Sequence, residues 1–453
     1  MTEHAAQILS STSVDSQVDS QAAALQPDRI VGLVPPWSLY SRRRRYGFLA
    51  ILFGVTTSSY FDYYVLSVVL EPIKQEFGVS DTMLGLLGGF SFALLYSISA
   101  LPIAQWADRG NRRTIITVTL VVWSVMTAAC GFARSFWELA LARVGVGMAE
   151  PGAVPPAQSL IADYFPPGRR ASASSILNAG SAAGYLVGVG IGGYIAATFG
   201  WRAVFLLAGA PGLVLAIIVR TMLPEPRSQL GFPSVLAPTK SRRQSLARLR
   251  HKQTFVFTLI GASIFTVFSF AAGLFLPSFM IRDLHASLMQ VSATWAITIS
   301  AASLLGAVLG GWLADLLSKR DIRWHAWLSA VTCALGAPLY LMALAASSVS
   351  SFIALDFLAE LVLAVGISVS FAPVHAVCGG ARRTQAIAVM QLAFMLVGAG
   401  CGPLMAGALS DLLSTFYGAE SLRYSLMAMV LFLIPAAAAF YCAGRAMPRE
   451  LED

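Results

Sequence analysis

Long apolar blocks separated by short polar breaks run along this chain, and the blocks are too long for the helices of a soluble core. Each holds about 20 residues or more, enough to cross roughly 30 Å of hydrocarbon as a helix. Twelve can be delimited. The first six are Tyr46–Val69, Thr82–Gln105, Thr114–Ala133, Trp137–Tyr164, Ala171–Thr198 and Trp201–Met222; the second six are Gln253–Met280, Ser287–Asp315, Trp324–Ala346, Ser350–Val377, Thr384–Leu413 and Leu422–Ala446. Leu223–Lys252, rich in Pro, Ser and Arg, divides the two sets at half length and reads as a solvated linker. The expected architecture is an all-α membrane protein with twelve transmembrane helices in two six-helix bundles, residues 46–222 and 253–446, joined by a cytoplasmic linker at 223–252. The first 35 residues are polar and Ser/Gln/Ala-rich, without the apolar stretch of a signal peptide. Residues 1–45 are thus expected to be a disordered cytoplasmic tail ending in a basic juxtamembrane segment, "SRRRRYGF" (Ser41–Phe48), and residues 447–453 a short second tail.

Composition agrees with the pattern: 57% of the 453 residues are hydrophobic and 12% charged, against about 25% charged in a soluble domain. Charge placement then orients the chain. With the N-terminus inside, 25 of the 31 Lys and Arg fall in cytoplasmic tails and loops. Five fall outside (Lys74, Arg134, Arg202, Arg282, Arg423), and one, Arg143, lies in the membrane. Both termini are accordingly expected on the cytoplasmic side, in what reads as a bacterial inner membrane. The net charge of +8 is accounted for by loops facing anionic lipid, so no nucleic-acid partner is implied. Seven of the nine tryptophans sit near predicted span ends, as an interfacial belt requires. Cys130, Cys333, Cys378, Cys401 and Cys442 are scattered singly, with neither metal-ligand spacing nor a disulfide framework. No nucleophile motif, phosphate loop or sizeable soluble domain appears, which argues against an enzyme and against any cofactor or metal; a monomer is expected.

An internal repeat relates the halves. "QWADRGNRR" (Gln105–Arg113) closes the second span and "GWLADLLSKRD" (Gly311–Asp321) the eighth; "GRRASASSI" (Gly168–Ile176) opens the fifth and "ARRTQAIAV" (Ala381–Val389) the eleventh. Two parallel six-helix repeats place a binding site between them near the midplane.

Three ionisable residues stand out within the apolar blocks. Arg143 and Glu150 are seven residues apart in the fourth span, about 700° of helical rotation and about 10 Å of rise, so they share a face but are too far apart to pair directly. Arg143 falls about 9 Å below the outer boundary, and Asp62, 16 residues up the first span, about 24 Å into a roughly 30 Å core. The two should meet at one depth, leaving Glu150 deeper and free to titrate. Intramembrane charges mark substrate or proton pathways, so Asp62 and Glu150 are expected to couple protons and Arg143 to offer a bidentate donor to an anionic group. Pro151, Pro155 and Pro156 should break the fourth span just below Glu150. Gly180, Gly184, Gly188, Gly190, Gly192 and Gly193 give the fifth span a small-residue packing face. Asp356 and Glu360, one turn apart in the tenth span, suit equally a second polar site or a solvated rim. Tyr60, Tyr63 and Tyr64 could line a cavity, though aromatics in a bilayer also face lipid.

"AQWADRGNRR" resembles the loop signature of the major facilitator superfamily, matching at Asp108, Arg109, Arg112 and Arg113 and departing at Ala104 and at the early glycine, Gly110, which leaves Asn111 at the turn. Asn tolerates a left-handed backbone, so the turn should survive. The resemblance implies the major facilitator fold and a conformational latch in which Asp108 caps the eleventh helix of the other half and the arginines brace it. "RVGVGMAEPGAVPPAQSLIADYFPPGRRASASS" and "GGYIAATFGWRAVFLLAGAPGL" are similar to the spinster-like branch, as is "YFDYYVLSVVLEPIKQEFGVSD" (Tyr60–Asp81), although Tyr63 stands where that branch often has Arg. This resemblance implies an alternating-access, proton-coupled transporter of lysolipids or sphingoid phosphates, with Arg143, Tyr60, Tyr63 and Tyr64 at the substrate and membrane lipids around it. The alternative is a proton-coupled symporter of small organic acids, a branch whose fourth helix is similar; a non-transporting membrane receptor ranks third.

Overall fold

The computed structural model describes residues 35–226, 249–378 and 380–450. Most of the expected tail and linker, and the side chains of Asp108 and Arg109, lie outside the described residues.

Among the described residues twelve helical segments follow in order. The N-terminal half holds α1 (Arg42–Phe77), α2 (Asp81–Ala107), α3 (Arg112–Gly131), α4 in two pieces (Phe136–Ala149 and Val154–Tyr164), α5 (Pro167–Phe199) and α6 (Trp201–Met222). The C-terminal half holds α7 (Gln253–Arg282), α8 (Gln290–Ser318), α9 (Trp324–Leu344) and α10 (Val349–Val377). Then come α11 (Gly380–Ala393, continuing through Phe394–Cys401 and Gly402–Tyr417) and α12 (Ser421–Val430 and Leu433–Ala446). Nine described segments are apolar and long enough to span a bilayer by composition alone, the last of them running through both α11 and α12. The helices that fall short are α1, which carries the polar run "TTSSYFDYY", and α4, which is broken at Glu150. α1 thus falls short by its polar run and α4 by the length of its two pieces.

Successive helices alternate in direction. α1 and α7 start, and α6 and α12 end, at one face, the tail face; the opposite end is the far face. Helix α1 begins at Arg42, four residues before the apolar block, because Ser41 caps it and Tyr40 is buried edge-on against Phe48 and Tyr164. Asn111 serves the turn after α2 differently from expectation: its backbone stays at φ −84° and its Oδ1 accepts the Thr114 amide at 3.0 Å, so it is an N-cap and not a left-handed residue.

The repeat is visible in the backbone. Among the described residues a π-helical stretch interrupts each of α2, α5 and α11, at Leu86–Phe90, Leu186–Ile191 and Phe394–Cys401, and another opens α8 at Gln290–Trp295. These are the second and fifth helices of each half, and such bulges mark functional sites.

Between helices in lipid, close approach has to replace the hydrophobic effect as the packing force. The glycine face of α5 does this against α1: a Cβ on Gly184 would lie 2.6 Å from the Thr57 carbonyl oxygen and 2.8 Å from the Phe61 amide. Between the halves, Gly85, Gly89 and Gly407 let α2 and α11 touch backbone to backbone at Pro403 and Asp81. Overpacking of this kind costs about 1–3 kcal/mol. Gly184→Ala is therefore expected to lower the unfolding temperature measured in detergent, whereas Gly47→Ala, with open space around it, should hold or raise it.

Candidate functional site

In the N-terminal half, Pro151 ends the first piece of α4 at Ala149 and leaves a 3-10 turn at Glu150–Gly152, the break expected from the prolines. The turn presses on α3, where a Cβ at Gly152 would fall on Thr119. On the intact piece, Arg143 points at α1: its Nη1 lies 3.7 Å from Asp62 Oδ1 and donates to the Asp62 carbonyl oxygen at 3.4 Å. Thr127 of α3 donates to Asp62 Oδ2 at 2.7 Å, and the guanidinium lies over the Phe92 ring at 5.5 Å. One turn below Asp62, Ser59 donates to Glu150 Oε1 at 2.5 Å. All three ionisable groups are buried, yet Asp62 Oδ1, Arg143 Nε and Nη2 and Glu150 Oε2 lack hydrogen-bond partners among the described residues. This ion pair is loose, longer than a hydrogen bond and with donor capacity unspent. Buried charges are tolerated only when compensated, so this arrangement is poised to exchange partners.

Between the halves lies a cavity of about 350 Å³. Tyr60, Tyr63 and Tyr64 line it from α1, together with Tyr185 of α5, whose ring contacts Tyr64 at 4.7 Å, and with Trp295 and Tyr340 of the other half. Arg143, Asp62 and Glu150 do not line it; Tyr63, which does, has its ring 5.5 Å from that of Phe92, the ring that packs on Arg143. The carboxylate that does line it is Glu360, which accepts from Ser303 at 2.6 Å and from Tyr340 at 3.1 Å. Asp356 is fully buried and accepts the Trp295 indole N–H at 2.6 Å. Glu360 therefore stands in the cavity wall and Asp356 is buried against Trp295, so neither belongs to a solvated rim.

The far face carries a second cluster that the sequence reading missed. Arg282, at the end of α7, donates twice to Asp81, at 2.8 Å each, and to Glu71 of α1 at 2.5 Å. Lys74 and Ser410 add bonds to Asp81 at 2.7 Å. From α11, Asp411 accepts the amides of Asp81 and Thr82 at 3.0 and 2.8 Å, placing a carboxylate on the N-terminus of α2. In the sequence these charges flank span ends and look like solvated loop residues; their meeting depends on two helices far apart in the chain.

On the tail face, Arg112 is buried and bound to Glu225 through its backbone amide at 2.7 Å and its guanidinium at 2.5 Å, with Asp163 2.6 Å away and Ser159 3.0 Å away. Asp163 thus pairs with Arg112 and not, as its position suggests, with Arg169 or Arg170; Arg170 donates to the Phe165 carbonyl. Arg113 is half-buried beside it.

The fold and its paired halves are those of a secondary transporter, and a family model described as Major Facilitator Superfamily matches residues 52–343. The chain belongs to that superfamily and is a multi-pass membrane protein, not an enzyme. Within the superfamily its likeness is to spinster proteins. A solved bacterial homolog of the human lysosomal transporter Spinster, in an inward-facing and unoccupied conformation, superimposes with a TM-score of 0.83 at 28% identity, covering 91% of this chain and all of that one. Protein spinster homolog 3 of Danio rerio is 26% identical over 84% of this chain and 80% of its own length. An MFS-type efflux pump of Mycolicibacterium smegmatis is 31% identical over 86% of this chain and 90% of its own.

Charge-assisted hydrogen bonds are worth about 1.5–3 kcal/mol each, so Arg282→Ala should shift the balance of conformations toward an opened far face by about tenfold or more. Spin-label distances between the far ends of α2 and α11 are the measurement, and a widened population is the expected result.

Proposed function

We propose that this chain is a proton-coupled secondary transporter, acting as a monomer in a bacterial inner membrane, that moves an amphipathic anion by alternating access. The tail face is the cytoplasmic one in this reading, supported by the basic loops gathered there. The far-face cluster is then an outer gate, and the form described here is closed outward, like the inward-facing relative.

The observation that carries the proposal is the loose Arg143–Asp62 contact beside Glu150, one layer behind an aromatic cavity. A proton on Asp62 removes the charge that holds Arg143, leaving a buried guanidinium without a counter-ion. An anionic group entering past Tyr63 supplies one. Glu150, at the break in α4, is held by Ser59, one turn from Asp62 along α1, and has a free oxygen to accept a second proton. Loss of those protons on the cytoplasmic side restores the Asp62 pair and expels the anion. The cavity wall of Tyr60, Tyr63 and Tyr64 suits an apolar chain attached to that anion, which favours a lysolipid-like substrate over a compact acid. In this reading Asp108 and Arg109, with Arg112 and Arg113, form the latch of the opposite, outward-open state.

Uptake into proteoliposomes under an imposed pH gradient tests this. Arg143→Gln and Glu150→Gln are each expected to slow uptake by about tenfold or more. Asp62→Asn should keep substrate exchange at equal pH while losing acceleration by the gradient. Wild-type uptake in both Arg143 and Glu150 variants contradicts the proposal. Lysophospholipids and small aromatic or sugar acids, supplied separately, distinguish an amphipathic from a hydrophilic substrate.

A further inference from the structure

A line of aromatic rings leads from Arg143, inside the N-terminal half, to the helices that close the far face. The Arg143 guanidinium lies over the Phe92 ring at 5.5 Å, Phe92 lies 5.5 Å from the Tyr63 ring, and Tyr63 meets Phe270 of α7 edge-on at 5.9 Å. Among the described residues two ring pairs cross between the halves, Tyr63 with Phe270 and Tyr185 with Trp295, and the first is the shorter route to Arg143. Tyr63 and Phe270 lie equally far into the first and seventh apolar blocks, which open at Tyr46 and Gln253, so they meet at one level of the membrane.

Backbone presses on both ends of the line. On α4 a Cβ at Gly147 would lie 3.2 Å from Phe92 Cδ2, and on α11 a Cβ at Gly398, within the π-helical stretch, would lie 3.0 Å from Phe270 Cδ2. An interior packed this closely transmits a displacement from one ring to the next. Beyond Phe270, α7 ends at Arg282 and α11 carries Asp411, two of the groups that hold the far face shut.

We propose that Phe270 is the positioning residue that couples the state of Arg143 to the far-face cluster. The proposal rests on the anion reading above, in which the guanidinium either stays with Asp62 over Phe92 or turns to an entering anion. In the first state Tyr63 is held between Phe92 and Phe270, and Phe270 braces α7 and α11 in the closed arrangement. In the second, the anion displaces Tyr63 as it passes, and Phe270 loses its partner in the other half. A ligand shifts a conformational balance only through contacts that differ between the two states, and the contact of Tyr63 with Phe270 is such a contact. Anion binding and far-face opening therefore favour each other in both directions, so an anion taken up at an open far face is released as that face closes.

The test is a double-mutant cycle on octyl sulfate affinity, measured on the full chain in nanodiscs with empty nanodiscs subtracted. Arg282→Ala, which frees the far face, is expected to tighten octyl sulfate binding about fivefold or more. In a Phe270→Leu background the same substitution should change the affinity by less than about twofold, whatever Phe270→Leu does by itself, because the cycle cancels a local effect. Phe270→Tyr keeps the ring and should keep the coupling. Phe270→Met fills the space without a ring, should lose the coupling, and takes the place of Phe270→Leu if that variant fails to fold. An Arg282→Ala effect of equal size with and without the ring overturns the proposal, as does octyl sulfate affinity unchanged by Arg282→Ala in the otherwise wild-type chain. Arg143→Gln separates the two readings. Binding lost in Arg143→Gln, with coupling undiminished in Phe270→Leu, overturns the role of Phe270 alone. Wild-type binding in Arg143→Gln overturns the anion reading and the coupling with it.

Discussion

A guanidinium and a carboxylate 3.7 Å apart, sealed from water within α1 and α4, are the interaction on which the other features of the site depend. In a medium of low dielectric neither group is stable alone, and each binds the other only as well as its surroundings allow. Thr127 takes one oxygen of Asp62, and Phe92 supplies a π-face to Arg143. The pair is thereby kept in place while remaining too long for a hydrogen bond, and the fold around it is arranged to hold that compromise: the break after Ala149 and the polar run in α1 both deviate from good membrane helix at this depth.

The rest of the molecule can be understood as two halves, one carrying this pair and the other the carboxylates of α10. Close glycine contacts make α1 and α5 one body, and similar contacts press α2 to α11 across the interface. The interface is held at the far face by Arg282, Asp81 and Asp411, groups whose hydrogen bonds can be exchanged for water when the halves rock. Asp411 on the N-terminus of α2 is the same device that the loop resemblance implies for Asp108 toward α11, set at the opposite end of the membrane. Four π-helical stretches in α2, α5, α8 and α11 lie on the helices that meet across this interface, where slackened backbone permits small shifts in register.

Much of this was legible in the sequence because bilayer thickness imposes it. Span length, the half-length linker and the paired loops define twelve helices in two repeats without any tertiary knowledge. The meeting of Asp62 with Arg143 followed from rise per residue and a common depth, and the break in α4 from Pro151. What escaped was whatever depends on rotation or on distant ends. Tyr60, Tyr63 and Tyr64 could as well have faced lipid, and nothing local indicates that Tyr185, Trp295 and Tyr340 gather around Glu360. Asp163 lies near Arg169 and Arg170 in the chain, yet its partner is Arg112, whose approach from α3 proximity along the chain does not show. The far-face cluster of Glu71, Asp81, Arg282 and Asp411 is hidden for the same reason, since charges at span ends look alike whether solvated or joined.

The central claim is that a proton on Asp62 exchanges for an anion on Arg143. The most direct measurement is the affinity of the purified chain for octyl sulfate, whose charge is constant with pH, across a pH series, in the wild type and in Asp62→Asn. The account predicts that wild-type affinity rises as pH falls, since protonation frees Arg143, and that the Asn variant binds tightly with little pH dependence. Affinity independent of pH in the wild type, or an Asn variant that follows the wild-type curve, would contradict it.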